Sequence, residues 1–253
     1  MGRNALKRLD GKVAIVTGGA QGFGEGIARA YAAEGAHVAI LDLKEKEAAA
    51  LAAELGGKAA AFACDVASLA SVKAAVAAVV KRFGRLDIVV NNAGWTYPNK
   101  PAIETTEEEF DRVYAVNVKS IYNFTVTATP HLEAAAGSFI NIGSTAGIRP
   151  RPGLVWYNST KGAVHNATKV LAVELAPKKI RVNAIAPVAG ETPLLASFMG
   201  TDTPERRAQF LATIPLGRFS QPKDIANAAV FLASAEAEFI TGVVLEVDGG
   251  RCV

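Results

Sequence analysis

Tyr157 and Lys161 stand four residues apart, a spacing that places two side chains on the same face of a helix. An unperturbed tyrosine, with a pKa of about 10, is a poor base at neutral pH. A lysine ammonium beside it favours the phenolate and so lowers the pKa of the phenol. The pair therefore indicates acid–base chemistry, although chance neighbours on an amphipathic helix show the same spacing.

Hydride exchange at an alcohol carbon has three requirements. It needs a base for the hydroxyl proton, a group that lowers the pKa of that base, and a donor that orients the oxygen. Tyr157, Lys161 and Ser144 match these three roles. Ser144 follows the apolar run Ser138–Ile142, so we expect its hydroxyl at the carboxyl edge of a sheet, where open α/β folds bind ligands.

A glycine-rich turn follows the first apolar run of the chain. Residues 17–24 read Thr-Gly-Gly-Ala-Gln-Gly-Phe-Gly, between an apolar segment and an alanine-rich one. Glycines let the main chain approach a pyrophosphate, whose charge the positive end of the following helix favours. Such a pattern alone also fits a chance turn. Its position ahead of Ser144, Tyr157 and Lys161 favours a dinucleotide-binding enzyme.

Asp42 ends the second apolar run, about where an acidic residue meets an adenosine ribose. Its carboxylate would accept hydrogen bonds from both ribose hydroxyls and would repel a 2′-phosphate, and Gln21 supplies no cation to offset that repulsion. The predicted cofactor is therefore NAD rather than NADP. Lys44 and Lys46 weaken this argument, because a flexible ammonium can reach a phosphate.

Three other polar motifs have both a binding and a structural interpretation. Asp65 could meet the adenine edge or cap the helix that begins near Ser68. Residues 91–94, Asn-Asn-Ala-Gly, allow close approach of the cofactor, and the amides can fasten neighbouring strands; a tight turn alone would explain the glycine. Asn117 is a candidate to hold a water that relays a proton from Lys161, or is an ordinary polar helix residue.

Short apolar runs alternate with segments of helical length along the whole chain. This alternation predicts repeated crossover units, right-handed and with helices on both faces of a parallel sheet. The expected fold is an α/β, single-domain, doubly wound Rossmann fold of seven strands over residues 1–253. The predicted strands are 13–16, 37–41, 59–64, 86–90, 138–142, 180–185 and 243–247.

Composition excludes several other classes of protein. Net charge is only +3 over 253 residues, with both signs interspersed, so nothing favours nucleic-acid binding. No apolar stretch is long enough to cross a membrane, and residues 1–10 lack the apolar core of a secretion signal. Cys64 and Cys252 are interpreted as small buried hydrophobes rather than redox groups. We expect a soluble, cytoplasmic protein without a metal site.

The segment 188–215 combines turn-forming residues with Leu194, Leu195, Phe198, Met199 and Phe210. A polar loop with an apolar face is typical of a lid over a pocket, and an ordinary surface excursion is the alternative.

The ordered motifs together resemble the short-chain dehydrogenase/reductase family, from residue 17 to residue 250. The resemblance implies a tetrad of Asn117, Ser144, Tyr157 and Lys161, in which Tyr157 is the acid/base and Lys161 also binds ribose. It further implies a Rossmann fold and usually a homotetramer, associated here through segments 110–129 and 164–175. The expected cofactor contacts are Gly18, Gln21, Gly22, Phe23, Gly24, Asp42, Leu43, Asp65, Val66, Asn92, Ala93, Gly94, Tyr157, Lys161, Pro187, Gly190 and Thr192.

One departure from the family pattern follows the sixth strand. The family commonly has Pro-Gly there, whereas this chain has Pro-Val-Ala-Gly-Glu-Thr at 187–192. Val188 restricts the main chain and is expected to narrow the nicotinamide pocket, while Gly190 and Thr192 still align with the carboxamide and phosphate contacts.

The expected reaction is hydride transfer between NAD(H) and a neutral or mildly polar secondary alcohol or its ketone. The candidate pocket is mostly apolar. Its residues are Trp95, Thr96, Thr145, Ala146, Ile148, Trp156, Val188, Leu194, Leu195, Phe198 and Met199. Arg149 and Arg151 are interpreted as loop or subunit-interface charge, or as a site for an anionic group. The alternatives are an NADPH-dependent 3-oxoacyl thioester reductase, against which Asp42 argues, and a non-catalytic NAD sensor.

Overall fold

Seven parallel strands form one sheet in the computed structural model, which describes residues 7–253. The strands are β1 (Val13–Thr17), β2 (His37–Asp42), β3 (Ala59–Ala63), β4 (Ile88–Asn91), β5 (Ser138–Ile142), β6 (Arg181–Pro187) and β7 (Val244–Val247). All seven predicted strands and the Rossmann fold are confirmed, with bounds that differ by at most two residues. Residues 1–6, part of the segment expected to lack a secretion signal, lie outside the described residues.

The strands lie in the order β3-β2-β1-β4-β5-β6-β7. The chain moves outward from β1 to β3 and then returns to the other side of β1 at β4. Such a reversal opens a crevice at the carboxyl ends of the two strands that flank it, and open α/β sheets bind ligands there. The topology therefore places the ligand site beside the turn that follows β1.

Nine α-helices connect and cover the strands in the described part of the chain. They are α1 (Gly22–Ala33), α2 (Glu45–Leu55), α3 (Leu69–Phe83), α4 (Glu107–Tyr114), α5 (Ser120–Ala135), α6 (Val155–Leu175), α7 (Leu195–Met199), α8 (Pro204–Leu211) and α9 (Pro222–Ala233). Segment 110–129, expected to be one helix, is divided between α4 and α5 by a π-helical turn at Ala115–Lys119.

The core occupies both faces of the sheet. Alternate residues of β1 belong to different clusters, because successive side chains of a strand point to opposite faces. Val16 packs in a cluster with Ile27 of α1 and Ile225 of α9. Ile15 packs in a second cluster with Phe124 of α5. Burial on both faces explains why the strands read as nearly continuous apolar runs.

The segment expected to form a lid contains two short helices, α7 and α8, rather than an irregular loop. Leu195 and Met199 of α7 pack with Val188, Ile214 and Phe219 in a small apolar cluster of their own. The apolar residues that suggested a lid therefore serve partly to hold this segment together.

Across residues 7–253, no helix combines the length and the apolar character that crossing a membrane requires. Glu246, Asp248 and Cys252 bring one possible ligand atom each within 4.8 Å of one another. The Asp248 carboxylate already accepts hydrogen bonds from the main chain at Gly250 and Cys252, and this group carries no metal assignment.

Candidate active site

A cavity of about 830 Å³ lies where the carboxyl ends of the strands meet. Its walls come from the turn after β1, the ends of β2 and β6, and the loops after β3, β4 and β5. Seventeen residues were expected to contact the cofactor, and fifteen of them, all but Tyr157 and Lys161, lie in these segments. Every one of the fifteen except Gly24 lines the cavity. Ser144, Tyr157 and Lys161 line the same cavity.

The glycine turn has the geometry that a close approach of a ligand requires. Gly18 and Gly22 have φ angles of 60° and 58°, a region that side chains rarely adopt. Gly24 has a packing role in the turn. A Cβ atom there would lie 2.1 Å from the Gly18 main-chain oxygen and 2.5 Å from Asn92 Nδ2, so this glycine lets α1 pack against the turn. The turn therefore fits a dinucleotide pyrophosphate at the start of α1.

The Asp42 carboxylate is held at the cavity wall by two main-chain donors. The amide of Ala20 donates to Oδ2 at 3.0 Å, and the amide of Lys44 donates to Oδ1 at 2.9 Å. Lys44 Nζ donates to Gln21 Oε1 at 2.8 Å, so the ammonium that weakened the NAD prediction is directed toward Gln21. A fixed carboxylate fits the two hydroxyls of a ribose.

The loops after β3 and β4 carry the next expected contacts. Asp65 lines the cavity, and its Oδ1 accepts from the Ala67 amide at 3.0 Å. Ser68, not Asp65, caps α3, since its hydroxyl accepts from the amide of Ser71; the capping interpretation of Asp65 is wrong. Asn92 Nδ2 donates to the main-chain oxygen of Thr17 at 2.8 Å, which ties β4 to the glycine turn.

Neighbouring strands are fastened by amide side chains, as predicted. Asn91 Nδ2 donates to Asn141 Oδ1 at 2.8 Å, and Asn141 Nδ2 donates to the Thr168 hydroxyl at 2.9 Å. These bonds connect β4, β5 and α6. Because α6 carries the tyrosine and the lysine, they set its position relative to the sheet.

Tyr157 and Lys161 are 4% and 5% exposed on the inner face of α6. Lys161 Nζ donates to the main-chain oxygen of Ile142 at 2.8 Å, and burial lowers the pKa of this lysine to about 8. Burial raises the pKa of Tyr157 above its usual value, while the hydroxyl of Ser144 acts in the opposite direction. In the protein alone, desolvation therefore outweighs any lowering of the tyrosine pKa by Lys161.

Asn117 lies in the π-helical turn and does not line the cavity. Its Oδ1 accepts from the Trp95 amide at 2.9 Å, and its Nδ2 donates to the Trp95 main-chain oxygen at 3.0 Å and to the Thr160 hydroxyl at 3.1 Å. The side chain thus ties the loop after β4 to α6. Its proton-relay role stays a prediction.

Comparison with known proteins assigns the family. A family model described as "Enoyl-(Acyl carrier protein) reductase" matches residues 18–251. The 4-formylbenzenesulfonate dehydrogenase of Comamonas testosteroni is 52% identical over 248 residues, which are 96% of this chain and 98% of that protein. This chain is a short-chain dehydrogenase/reductase. The family resemblance inferred from the motifs is confirmed, and the chain is an oxidoreductase of this family.

Two further similarities cover nearly the whole length of this short-chain dehydrogenase/reductase. The D-threitol dehydrogenase of Mycolicibacterium smegmatis is 44% identical over 250 residues, which are 97% of this chain and 95% of that protein. The crystal structure of a 3-ketoacyl-(acyl-carrier-protein) reductase from Brucella melitensis complexed with NADH has a TM-score of 0.92 and 47% identity. The matched residues are 97% of this chain and 100% of the chain from Brucella melitensis.

The substrate half of this short-chain dehydrogenase/reductase differs in part from the expected pocket. Trp95, Thr145, Ala146, Val188, Leu194 and Phe198 line the cavity, whereas Thr96, Ile148, Trp156, Leu195 and Met199 are not among its lining residues. The Phe198 ring meets the Tyr157 ring edge to face, with 4.9 Å between centroids. Helix α7 therefore contributes directly to the surroundings of the phenol.

The loop after β6, which departs from the family pattern, contributes its expected residues to the cavity wall. Pro187, Val188, Gly190 and Thr192 all line it. A Cβ atom at Gly190 would lie 2.3 Å from Cζ of Phe23, so a glycine is required at this point. The residue that departs from the family pattern, Val188, packs against the cluster that holds α7.

His165 is a residue of the short-chain dehydrogenase/reductase site that sequence reasoning missed. The Ser144 amide donates to its Nε2 at 3.3 Å. Burial, and then the charges of Lys161 and Lys169, lower the pKa of His165 to about 4, which keeps the ring neutral and able to accept. His165 follows Lys161 by four residues, so the spacing that revealed the Tyr157–Lys161 pair also pointed to it.

Arginines form the other missed part of the site. Arg112, Arg206 and Arg251 line the cavity together with the expected candidates Arg149 and Arg151. The guanidinium carbon of Arg112 lies 4.5 Å from the centroid of the Trp95 ring. Arg251 comes from the end of the chain, and no local motif marks it. The cavity is thus more basic than the expected, mostly apolar pocket.

Proposed function

We propose that this short-chain dehydrogenase/reductase transfers a hydride between NAD(H) and a secondary alcohol or its ketone. The observation that carries the proposal is the presence of Ser144, Tyr157 and Lys161 on the same cavity as the glycine turn and Asp42. When bound, NAD supplies the acceptor of the hydride. The experiment is to measure initial rates of NADH formation with a panel of secondary alcohols.

Each proposed catalytic residue has a role that its surroundings support. The Ser144 hydroxyl orients the substrate oxygen, and Tyr157 takes up its proton in oxidation and returns it in reduction. The buried Lys161 ammonium favours the phenolate form and binds the ribose. Asn117 relays the proton through a water; its link between the Trp95 loop and Thr160 beside Lys161 supports its nearness to that path.

Asp42 supports the choice of NAD over NADP, since its carboxylate would oppose a 2′-phosphate. The proposed cofactor contacts are the seventeen expected residues, of which all except Gly24 line the cavity. Initial rates with NAD and NADP at equal concentrations test this preference. Comparable kcat/KM values for the two cofactors would contradict it.

A second candidate is a 3-oxoacyl thioester reductase. The structural relative from Brucella melitensis is named a 3-ketoacyl-(acyl-carrier-protein) reductase and was crystallised with NADH, which supports this candidate despite Asp42. Turnover of acetoacetyl-CoA with NADH, without turnover of small ketones, would favour it. Binding of NADH with no turnover of either substrate class would instead favour a non-catalytic sensor.

We propose a homotetramer in a reducing, cytoplasmic compartment. Both cysteines are free, which fits such a compartment.

The proposed subunit contacts are exposed apolar residues at helical spacing. They are Tyr122 and Val126 of α5, and Val170 and Val173 of α6. They lie on the two segments through which association was expected, and sedimentation of the purified chain as a monomer would contradict the proposal.

A further inference from the structure

Three arginines from two distant parts of the chain line the cavity. Arg149 and Arg151 belong to the loop that begins at Ser144, and Arg251 follows β7. All three line the cavity that contains Ser144 and Tyr157. Within residues 7–253, none of these guanidinium groups forms an ion pair with a carboxylate side chain.

Acceptors other than carboxylate side chains hold two of these arginines in place. Arg149 Nη1 donates to the main-chain oxygen of Arg251 at 2.8 Å and to that of Val253 at 3.4 Å. Arg151 donates to the Thr213 hydroxyl, and its guanidinium carbon lies 4.2 Å from the centroid of the Phe210 ring. Hydroxyls, rings and main-chain carbonyls orient a guanidinium without cancelling its charge.

Arg251 is the decisive member of the group. Its side chain is 6% exposed, and its buried Nη1 has no hydrogen-bond partner in the described part of the chain. The nearby Asp248 carboxylate accepts from the amides of Gly250 and Cys252 instead. A buried guanidinium remains charged and is costly without a partner. Because Arg251 lines the cavity, an anion bound there would compensate the charge of its guanidinium.

The mutual repulsion of the group is visible in the pKa values of its members. Burial, then the charges of Arg251 and Arg149, lower the pKa of Arg151. Burial, then the charge of Arg149, lower the pKa of Arg251, although Asp248 acts in the opposite direction. Arginines brought together without an ion-paired carboxylate side chain are typical of an anion-binding site.

We infer that the substrate is a small organic acid, whose carboxylate or sulfonate binds Arg151 and Arg251 while its hydroxyl or carbonyl faces Ser144 and Tyr157. Arg149 is a positioning residue, because it holds the main chain that carries Arg251. Trp95, Phe198 and Phe210 line the cavity and would contact the apolar body of such a substrate. This inference rests on the proposed function and names its substrate class.

The test compares two ketones that differ in charge and not in size. They are para-acetylbenzoate and its neutral carboxamide, para-acetylbenzamide, each reduced with NADH. In reduction the carbonyl carbon receives the hydride, the oxygen receives a proton, and NAD is released. We expect the unmodified enzyme to have at least a roughly tenfold higher kcat/KM for the benzoate, since hydrogen bonds between charged groups are worth about a tenfold effect or more.

Arg251→Gln and Arg151→Gln should each lower kcat/KM for the benzoate by about tenfold to a hundredfold and that for the benzamide by less than about threefold. Lys178→Gln, which removes a surface positive charge paired with Glu133, is the matched control and should leave both substrates unaffected. An equal preference for the two ketones in all four proteins would overturn the inference. It would leave the proposed hydride transfer intact.

A thermal-stability measurement separates ligand binding from a structural role. Arg251→Gln removes an unpartnered buried charge, so its Tm without ligand should be equal to or higher than that of the unmodified chain. Benzenesulfonate added with NADH should raise the Tm of the unmodified chain and not that of the variant. A lower Tm for Arg251→Gln, together with an unchanged benzenesulfonate shift in both arginine variants, would overturn the inference.

The benzenesulfonate measurement also distinguishes failure of the proposed function from failure of the inferred anion site. If neither ketone is reduced, the proposed function fails, and the benzenesulfonate shift still tests the anion site. Acetoacetyl-CoA carries its anionic phosphates at a distance from the reacting carbonyl. Turnover of this thioester that depends on Arg251, without preference for the benzoate, would overturn the assignment to a small organic acid.

Discussion

Lys161 Nζ lies 5.7 Å from the centroid of the Tyr157 ring and is anchored to the end of β5 through the main-chain oxygen of Ile142. The ammonium is thus fixed between a strand end and the phenol. Burial raises the pKa of Tyr157 in the protein alone, so the phenol keeps its proton at neutral pH until further positive charge reaches it. Lys161 prepares the site for acid–base chemistry but does not ionise the phenol by itself.

Replacing Tyr157 by phenylalanine tests this arrangement directly. The variant lacks the proton acceptor, and general acid–base catalysis typically contributes about a hundredfold to ten-thousandfold. We expect kcat to fall by at least a hundredfold, while NADH affinity, measured by fluorescence titration, changes little. Turnover close to that of the unmodified enzyme would remove Tyr157 from the mechanism.

Asp42→Ala tests the assignment of the ribose contact. Loss of a charged hydrogen-bonding group, worth about 1.5–3 kcal/mol, should lower the ratio of kcat/KM for NAD to that for NADP by about tenfold or more. Lys44→Ala is the companion variant, because its ammonium donates to Gln21 of the glycine turn and would attract a 2′-phosphate. It should shift the ratio toward NAD, and an unchanged ratio in Asp42→Ala would contradict the assignment.

The lowered pKa of His165 predicts that the protein loses stability in acid. This pKa is lowered from 6.5 to about 4, so between these values the unfolded chain binds a proton that the folded chain does not. The free energy of unfolding should therefore fall as the pH decreases from 6.5 to 4, by up to roughly 3 kcal/mol. His165→Gln keeps an acceptor for the Ser144 amide and removes this titration. Urea denaturation across the pH range should show a shallower loss in the variant.

Two glycine-to-alanine substitutions should have opposite effects. A Cβ atom at Gly24 would lie 2.1 Å from the Gly18 oxygen, so Gly24→Ala should lower the free energy of unfolding by about 1–3 kcal/mol and weaken NADH binding. Gly162, inside α6, has no atom within 4 Å of an added Cβ. Gly162→Ala should stabilise the protein by about 0.5–1 kcal/mol. Denaturant titration of both variants checks the contrast.

Val173→Asp tests the proposed assembly. Val173 is 76% exposed on α6, and a carboxylate there would oppose burial in a subunit interface. We expect sedimentation to show smaller species for this variant. Ile103→Asp is the control, because Ile103 is also an exposed apolar residue and lies outside α5 and α6. Loss of assembly in the control alone would place the interface elsewhere.

Local patterns were sufficient to predict the architecture of this chain. Each strand is a short apolar run, and the glycine turn follows β1 directly; both features depend on neighbours in sequence. The Tyr157–Lys161 pair was equally accessible, since a spacing of four residues defines one helix face. The glycine turn followed from the same reasoning, whereas the family resemblance implied most of the cavity wall after β1, β2 and β4.

Packing alone decided the properties that depend on distant residues. Arg251 joins Arg149 and Arg151 across about a hundred residues, and Asn117 bonds to Trp95 and Thr160 from separate elements. The direction of the Tyr157 pKa shift likewise depends on the burial of its ring beside Phe198. Desolvation and long-range charge have no signature in local periodicity, because they arise only when segments remote in the chain enclose the same space.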